Sequence, residues 1–190
     1  MGLALSWMAV KGAPRETVFD RLDLEDTGEA VEAYGAPASW VELPNGWLII
    51  MVRNMSFVTA KELQAASEGG RAVGCAFEEH VMYSAAWEFR DGRQIWSIVH
   101  EPNRGGIGHL DCAGDLPAEF TGIRDKAIAE QAADSGEDAR TDFIFDVPLD
   151  TARAVCGFHH VDTVDDMRWL AFTELAGRPR GLMKWLLDEI

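Results

Sequence analysis

A chain of 190 residues carrying 32 Asp and Glu against 17 Lys and Arg has a formal net charge of -15, which repels phosphate backbones and excludes nucleic acid as a partner. Its 47% hydrophobic and 26% charged residues are the proportions of a globular domain, which argues against wholesale disorder and against a membrane protein.

The opening "LALSWMAV" is short, apolar and followed by Lys11-Gly12, the pattern of a buried strand. Pro14 suits the first turn of a helix carrying Val18, Phe19 and Leu22 on one side. "TGEAVEAY" reads as a weak strand and "ASWVELPNGWLIIMV" as a hairpin turning on Asn45-Gly46. "TAKE" is a capping box, with Thr59 covering the amide three residues on and Glu62 reaching back; a helix with Leu63 and Ala66 inward follows and ends at Gly69-Gly70. "RAVGCAFEEHVMYSAAWEFRDGRQIWSIVHE" is then a long strand or bent pair of strands and a second hairpin, on Asp91-Gly92.

Beyond Pro102, "NRGGIGH" is a glycine-rich loop, followed by a short strand and a helix from near Asp115 with Phe120, Ile123 and Ala127 inward. After the polar loop "DSGEDART", "DFIFDV" reads as a strand, and Pro148 starts a helix that Gly157 ends. Thr163 caps a last helical region with Met167, Leu170 and Leu175, which Gly177 and Pro179 break before Leu182, Trp185 and Leu186.

The pattern is an α+β fold, a mostly antiparallel sheet with helices packed on one face. A single domain spans 1-160, and 161-190 is a C-terminal helical segment packed on the domain or on a second copy. The two hairpins, each preceded by a helix, admit a degenerate β-α-β-β duplication. Such a doubled arrangement is similar in topology to small ligand-binding and inhibitor domains of the gyrase-inhibitor kind, a likeness of architecture without functional weight.

Two-residue turns fix facing pairs on the hairpins. Around Asp91-Gly92 they oppose Phe89 to Gln94, Trp87 to Trp96, Ala85 to Ile98 and Tyr83 to His100, with the Trp face inward. Around Asn45-Gly46 they oppose Val41 to Ile50 and Leu43 to Leu48, leaving Trp40 and Trp47 on the reverse face as interface candidates unless the C-terminal helices cover them.

Strand alternation divides "CAFEEHVMY", sending Glu78 and His80 one way and Glu79 with Tyr83 the other. A metal site joining His80 to His100 therefore needs a bulge. Glu79, Tyr83 and His100 gather instead beside Trp87 and Trp96, as a polar ligand site, an acid/base set or a hydrogen-bonded sheet end. "CGFHH", with Cys156, His159, His160 and Asp162, lacks the second ligand pair of a structural zinc site. His109 and Cys112 in "HLDC" alternate to opposite sides, and no nucleotide-binding, H-E-x-x-H or kinase signature is present.

Cys75, Cys112 and Cys156 are odd in number and widely spaced among apolar residues, as free thiols in a reducing compartment. The start "MGLALSWMAVKG" lacks a basic n-region and a cleavage site, and its formal myristoylation match, Gly2 with Ser6, yields to the strand reading. The expectation is a soluble cytoplasmic binding domain for a small molecule or a protein partner, with a homodimer open to it and no membrane, metal or cofactor. The alternative is a small enzyme using Glu79, Tyr83 and His100.

Overall fold

The structure, a computed structural model, describes residues 2-134, 141-163 and 171-178. Its strands are β1 (Ala4–Lys11), β2 (Leu24–Val31), β3 (Ala38–Glu42), β4 (Leu48–Val52), β5 (Arg71–Glu78), β6 (Tyr83–Arg90), β7 (Arg93–His100), β8 (Asp111–Gly114) and β9 (Phe172–Gly177). The helices are α1 (Arg15–Arg21), α2 (Ala60–Ala66), α3 (Pro102–Gly105), α4 (Phe120–Ala133) and α5 (Asp146–Cys156), followed by a 3-10 turn over His160–Thr163. The strands form one nine-stranded sheet in the order β2-β9-β3-β4-β1-β5-β6-β7-β8. Every neighbouring pair runs antiparallel, so the mixed α+β class stands.

Helices cover both faces of the sheet, and not one as the sequence pattern implied. On β1, Leu5, Trp7 and Ala9 enter a core roofed by α4, α5 and Phe158, while Met8 and Val10 enter a second core under α1 and α2. Unbroken apolar runs such as "LIIMV" are the mark of a strand buried on both sides, where alternation disappears. α2 settles closely on its face because Gly74 has no side chain; a Cβ there would stand 2.8 Å from Leu63 Cδ2 of α2. Thr59 caps α2 by accepting from Lys61 N, two residues on, and its hydroxyl donates to Glu62.

Both hairpin registers depart from expectation. The first turns through three residues, Pro44, Asn45 and Gly46: Gly46 N donates to Leu43 O and Gly46 takes φ +82, a type I turn closed by a left-handed glycine. Val41 consequently opposes Ile49, and Trp47 shares the α4/α5 face with Val41 and Ile49 while Trp40 shares the other with Leu48 and Ile50. Both tryptophans are buried.

The second hairpin does form the two-residue turn, with positive φ at Asp91 and Gly92, and pairs Arg90 with Arg93 and Phe89 with Gln94. A bulge at Ile95 then shifts the register, so that Glu88 faces Trp96, Ala86 faces Ile98 and Ser84 faces His100. That extra residue carries Trp96 and His100 to the α4/α5 face and leaves Tyr83 and Trp87 on the opposite one.

Two further segments differ from the sequence reading. Residues 142-145 of "DFIFDV" form a turn, because Asp142 Oδ1 accepts from the amides of Ile144 and Phe145 at 3.1 and 3.2 Å and starts α5 instead of a strand. Phe172–Gly177, expected within a helical tail, is β9, inserted between β2 and β3 with Phe172 and Leu175 buried on opposite faces. Met167, Leu170, Leu182, Trp185 and Leu186 lie outside the described residues.

Candidate functional site

A cleft of about 660 Å³ lies between α4 and α5, within the size range of small-molecule sites. Ile123, Ala127 and Val147 form its apolar side, and Glu130, Asp146 and Asp150 bring three carboxylates. Asp146 and Asp150 stand one turn apart on α5, so both are presented to the same groove. Gln131 ties the two walls together by donating to Thr141 O and accepting from Phe143 N, both at 3.0 Å. Lys126 and Arg153 also line the cleft, and Lys126 stands 3.8 Å from Glu130.

Partial burial, then the charges of Asp150, Asp142, Glu130 and Glu79, push the Asp146 carboxyl up to about 6. In the unfolded chain the group returns to about 3.8, so the folded state binds the extra proton between those values. Stability therefore falls as the pH rises from about 4 to about 6. Asp146→Asn removes the penalty, and because this residue is more than a third exposed, solvent screening holds the gain to about 1 kcal/mol. Urea unfolding should show that gain at pH 7 and its disappearance near pH 4; an equal gain at both would contradict the assignment.

Beneath α5 lies a closed polar set. His100, fully buried on β7, has Nε2 2.9 Å from Asp142 Oδ2 and Nδ1 2.7 Å from His109 O. Both ring nitrogens therefore stand within hydrogen-bond reach of an oxygen. Ser84, facing His100 across β6 and β7, donates to Phe145 O at 2.6 Å, so serine and histidine are not joined as nucleophile and base.

The expected cluster of Glu79, Tyr83, Trp87, Trp96 and His100 is not assembled. Tyr83 is half-buried on the α1/α2 side, its hydroxyl pushed up by burial and then by Glu101. Trp87 packs partly buried on the same side, while Trp96 is buried on the other and donates from Nε1 to Glu88 Oε2 at 2.7 Å. Glu79 accepts from Leu3 N at 2.8 Å and pins the start of β1. Asp142, Asp146 and Asp150 went unnoticed in the sequence because "DFIFDV" resembled a strand; their spacing of four was the available signal.

His80 lies on the exposed turn between β5 and β6, 2.6 Å from Glu78 Oε1, and Gly2 N donates to its Nε2 at 3.1 Å. His160 stacks between Phe77 and His159, and burial pushes its imidazole down to about 3. Among the described residues no three His, Cys, Asp or Glu side chains are gathered as a metal ion requires. Cys75, Cys112 and Cys156 are free thiols, and burial pushes Cys156 up to about 12. No described helix is long and apolar enough to cross a membrane. No protein-family model, curated protein or solved structure matches the chain.

Proposed function

We propose that this chain is a binding domain whose cleft between α4 and α5 takes a small cationic molecule with an apolar body, such as an alkyl amine. The observation that carries the reading is the concave site itself, where Glu130, Asp146 and Asp150 outnumber Lys126 and Arg153 along a lining that includes Ile123, Ala127 and Val147. Burial, and after it the neighbouring carboxylates, favour the Asp146 proton; a cation entering there offsets the carboxylate part, and the net charge of -15 favours encounter with positive ligands. A basic side chain of a protein partner meets the same chemistry. Free thiols at Cys75, Cys112 and Cys156 support a reducing, cytoplasmic setting. α1 and α2, each of seven residues, lie on one face of the sheet, which supports the doubled strand-helix-strand-strand ancestry.

Titration calorimetry with cadaverine and with butylamine tests the assignment. Binding should weaken about tenfold in Asp146→Asn and again in Asp150→Asn, and should fall between low and high salt. Succinate binding at the same cleft, or amine binding indifferent to both substitutions, would remove the proposal.

A further inference from the structure

A second opening, separate from the α4/α5 cleft, lies along the edge of the sheet. β8 is the outermost strand on its side, all four of its residues are exposed, and no other strand among the described residues pairs with its outer edge. Asp115 N donates to Ile95 O at 3.0 Å, which sets the ladder so that Ala113 and Asp111 exchange bonds with β7. The main-chain N–H and C=O of Cys112 consequently point away from the sheet. Phe120, Arg124 and Ile128 recur one turn apart along α4 and stand over this edge. Between strand and helix runs a trough of about 470 Å³ lined by these three with Leu110, Cys112 and Ile144. Ile128 is 50% exposed there, an apolar side chain at the lip of a trough whose lining also includes Asp111 and Arg124.

We propose that this trough binds an extended, basic-flanked segment of a partner protein, which pairs with β8 as a further strand and seats alternate apolar side chains between β8 and α4. The occupant follows from the groups that are open. Unpaired main-chain groups on a strand edge are matched along their length by another extended backbone, and a helix beside the edge turns the gap into a slot for every second side chain. Soluble proteins guard such edges with lysine, proline, other charges or short strands; β8 has no lysine or proline, and its shortness and Asp111 limit the open stretch to the groups around Cys112. Charge selects the partner. Asp111 lines the trough with its carboxylate 3.3 Å from His109 Nε2, Asp115 and Glu119 are exposed on the segment that joins β8 to α4, and Arg124 is neutralised by Asp125 through bonds of 2.9 and 2.7 Å. A second copy would bring another -15 to this acidic rim, which disfavours pairing of β8 with itself.

The test is a library of acetylated, amidated hexapeptides alternating Val, Ile, Leu or Phe with Lys, Arg or Thr, screened against the whole chain by fluorescence polarisation. Binders should shift the Cys112 amide and the Ile128 methyl signals in NMR spectra. Cys112→Pro deletes an amide that β7 does not use, so affinity should drop about tenfold or more while the fold persists. Ile128→Asp, at an exposed position, should do the same. Should the proline variant fail to fold, N-methylation of the peptide's own pairing amides supplies the same measurement on the unaltered chain. An absence of binders at the trough, N-methylated peptides binding as well as their parents, or a dimer in sedimentation that Ile128→Asp dissolves would each overturn the proposal. Amine binding at the α4/α5 cleft is read separately and bears on neither result.

Discussion

His100→Ala should lower the stability of the chain by about 3–5 kcal/mol, the loss expected when a fully buried ring hydrogen-bonded at both nitrogens is truncated, leaving a cavity and an unpartnered carboxyl oxygen. The substitution leaves Asp142 Oδ2 buried and facing a void, while its Oδ1 remains committed to the amides of Ile144 and Phe145. For a domain of this size the midpoint of thermal unfolding should drop by roughly 6–20 °C. Asp142→Ala should cost as much, because it strands the imidazole and also loosens the turn that starts α5. The two substitutions act on one contact, so the double variant should fall well short of the sum. Losses that add in urea unfolding would show that the pair is not coupled.

The second large effect is expected at Glu88. Its side chain is almost wholly buried, with Oε1 2.8 Å from Arg71 and 2.7 Å from Arg90 and Oε2 accepting from the buried Trp96 indole. Glu88→Ala orphans the indole N–H and leaves Arg71 above the Trp47 ring without its counter-charge. The two arginines keep partial access to water, which limits the loss to about 2–4 kcal/mol. Arg90→Ala, at a side chain 53% exposed, should cost less than about 1 kcal/mol. Equal costs at Glu88 and Arg90 would show that the carboxylate is not the centre of the network.

The elements that were legible in the sequence are those with strong local signals. The apolar run of β1, the cap at Thr59, the positive-φ turn at Asp91-Gly92 and the glycine stop after α5 all fall where local chemistry puts them. Registers were not legible, because one residue more or less in a hairpin exchanges the faces of a whole strand. At Asn45-Gly46 the extra residue is Pro44 in the loop, and on β7 it is Ile95 within the strand. The second of these dispersed the expected site, since Tyr83 and His100 can meet only if β7 pairs without a bulge. The α4/α5 cleft depends on two helices joined through Gln131, a contact with no periodic signature in the sequence.

The position of β9 bears on the order in which the chain can complete itself. β2 touches the sheet through β9 alone among the described strands, and 147 positions separate Thr27 from its bond with Glu174 O. During synthesis at about 5–20 residues per second, β2 waits roughly 7–30 s for the strand that attaches it. Through that interval the outer edge of β3 is open as well. A nascent chain therefore exposes β2 and the outer edge of β3 until Phe172–Gly177 emerges, which makes the interval before that strand a time of exposure to mispairing.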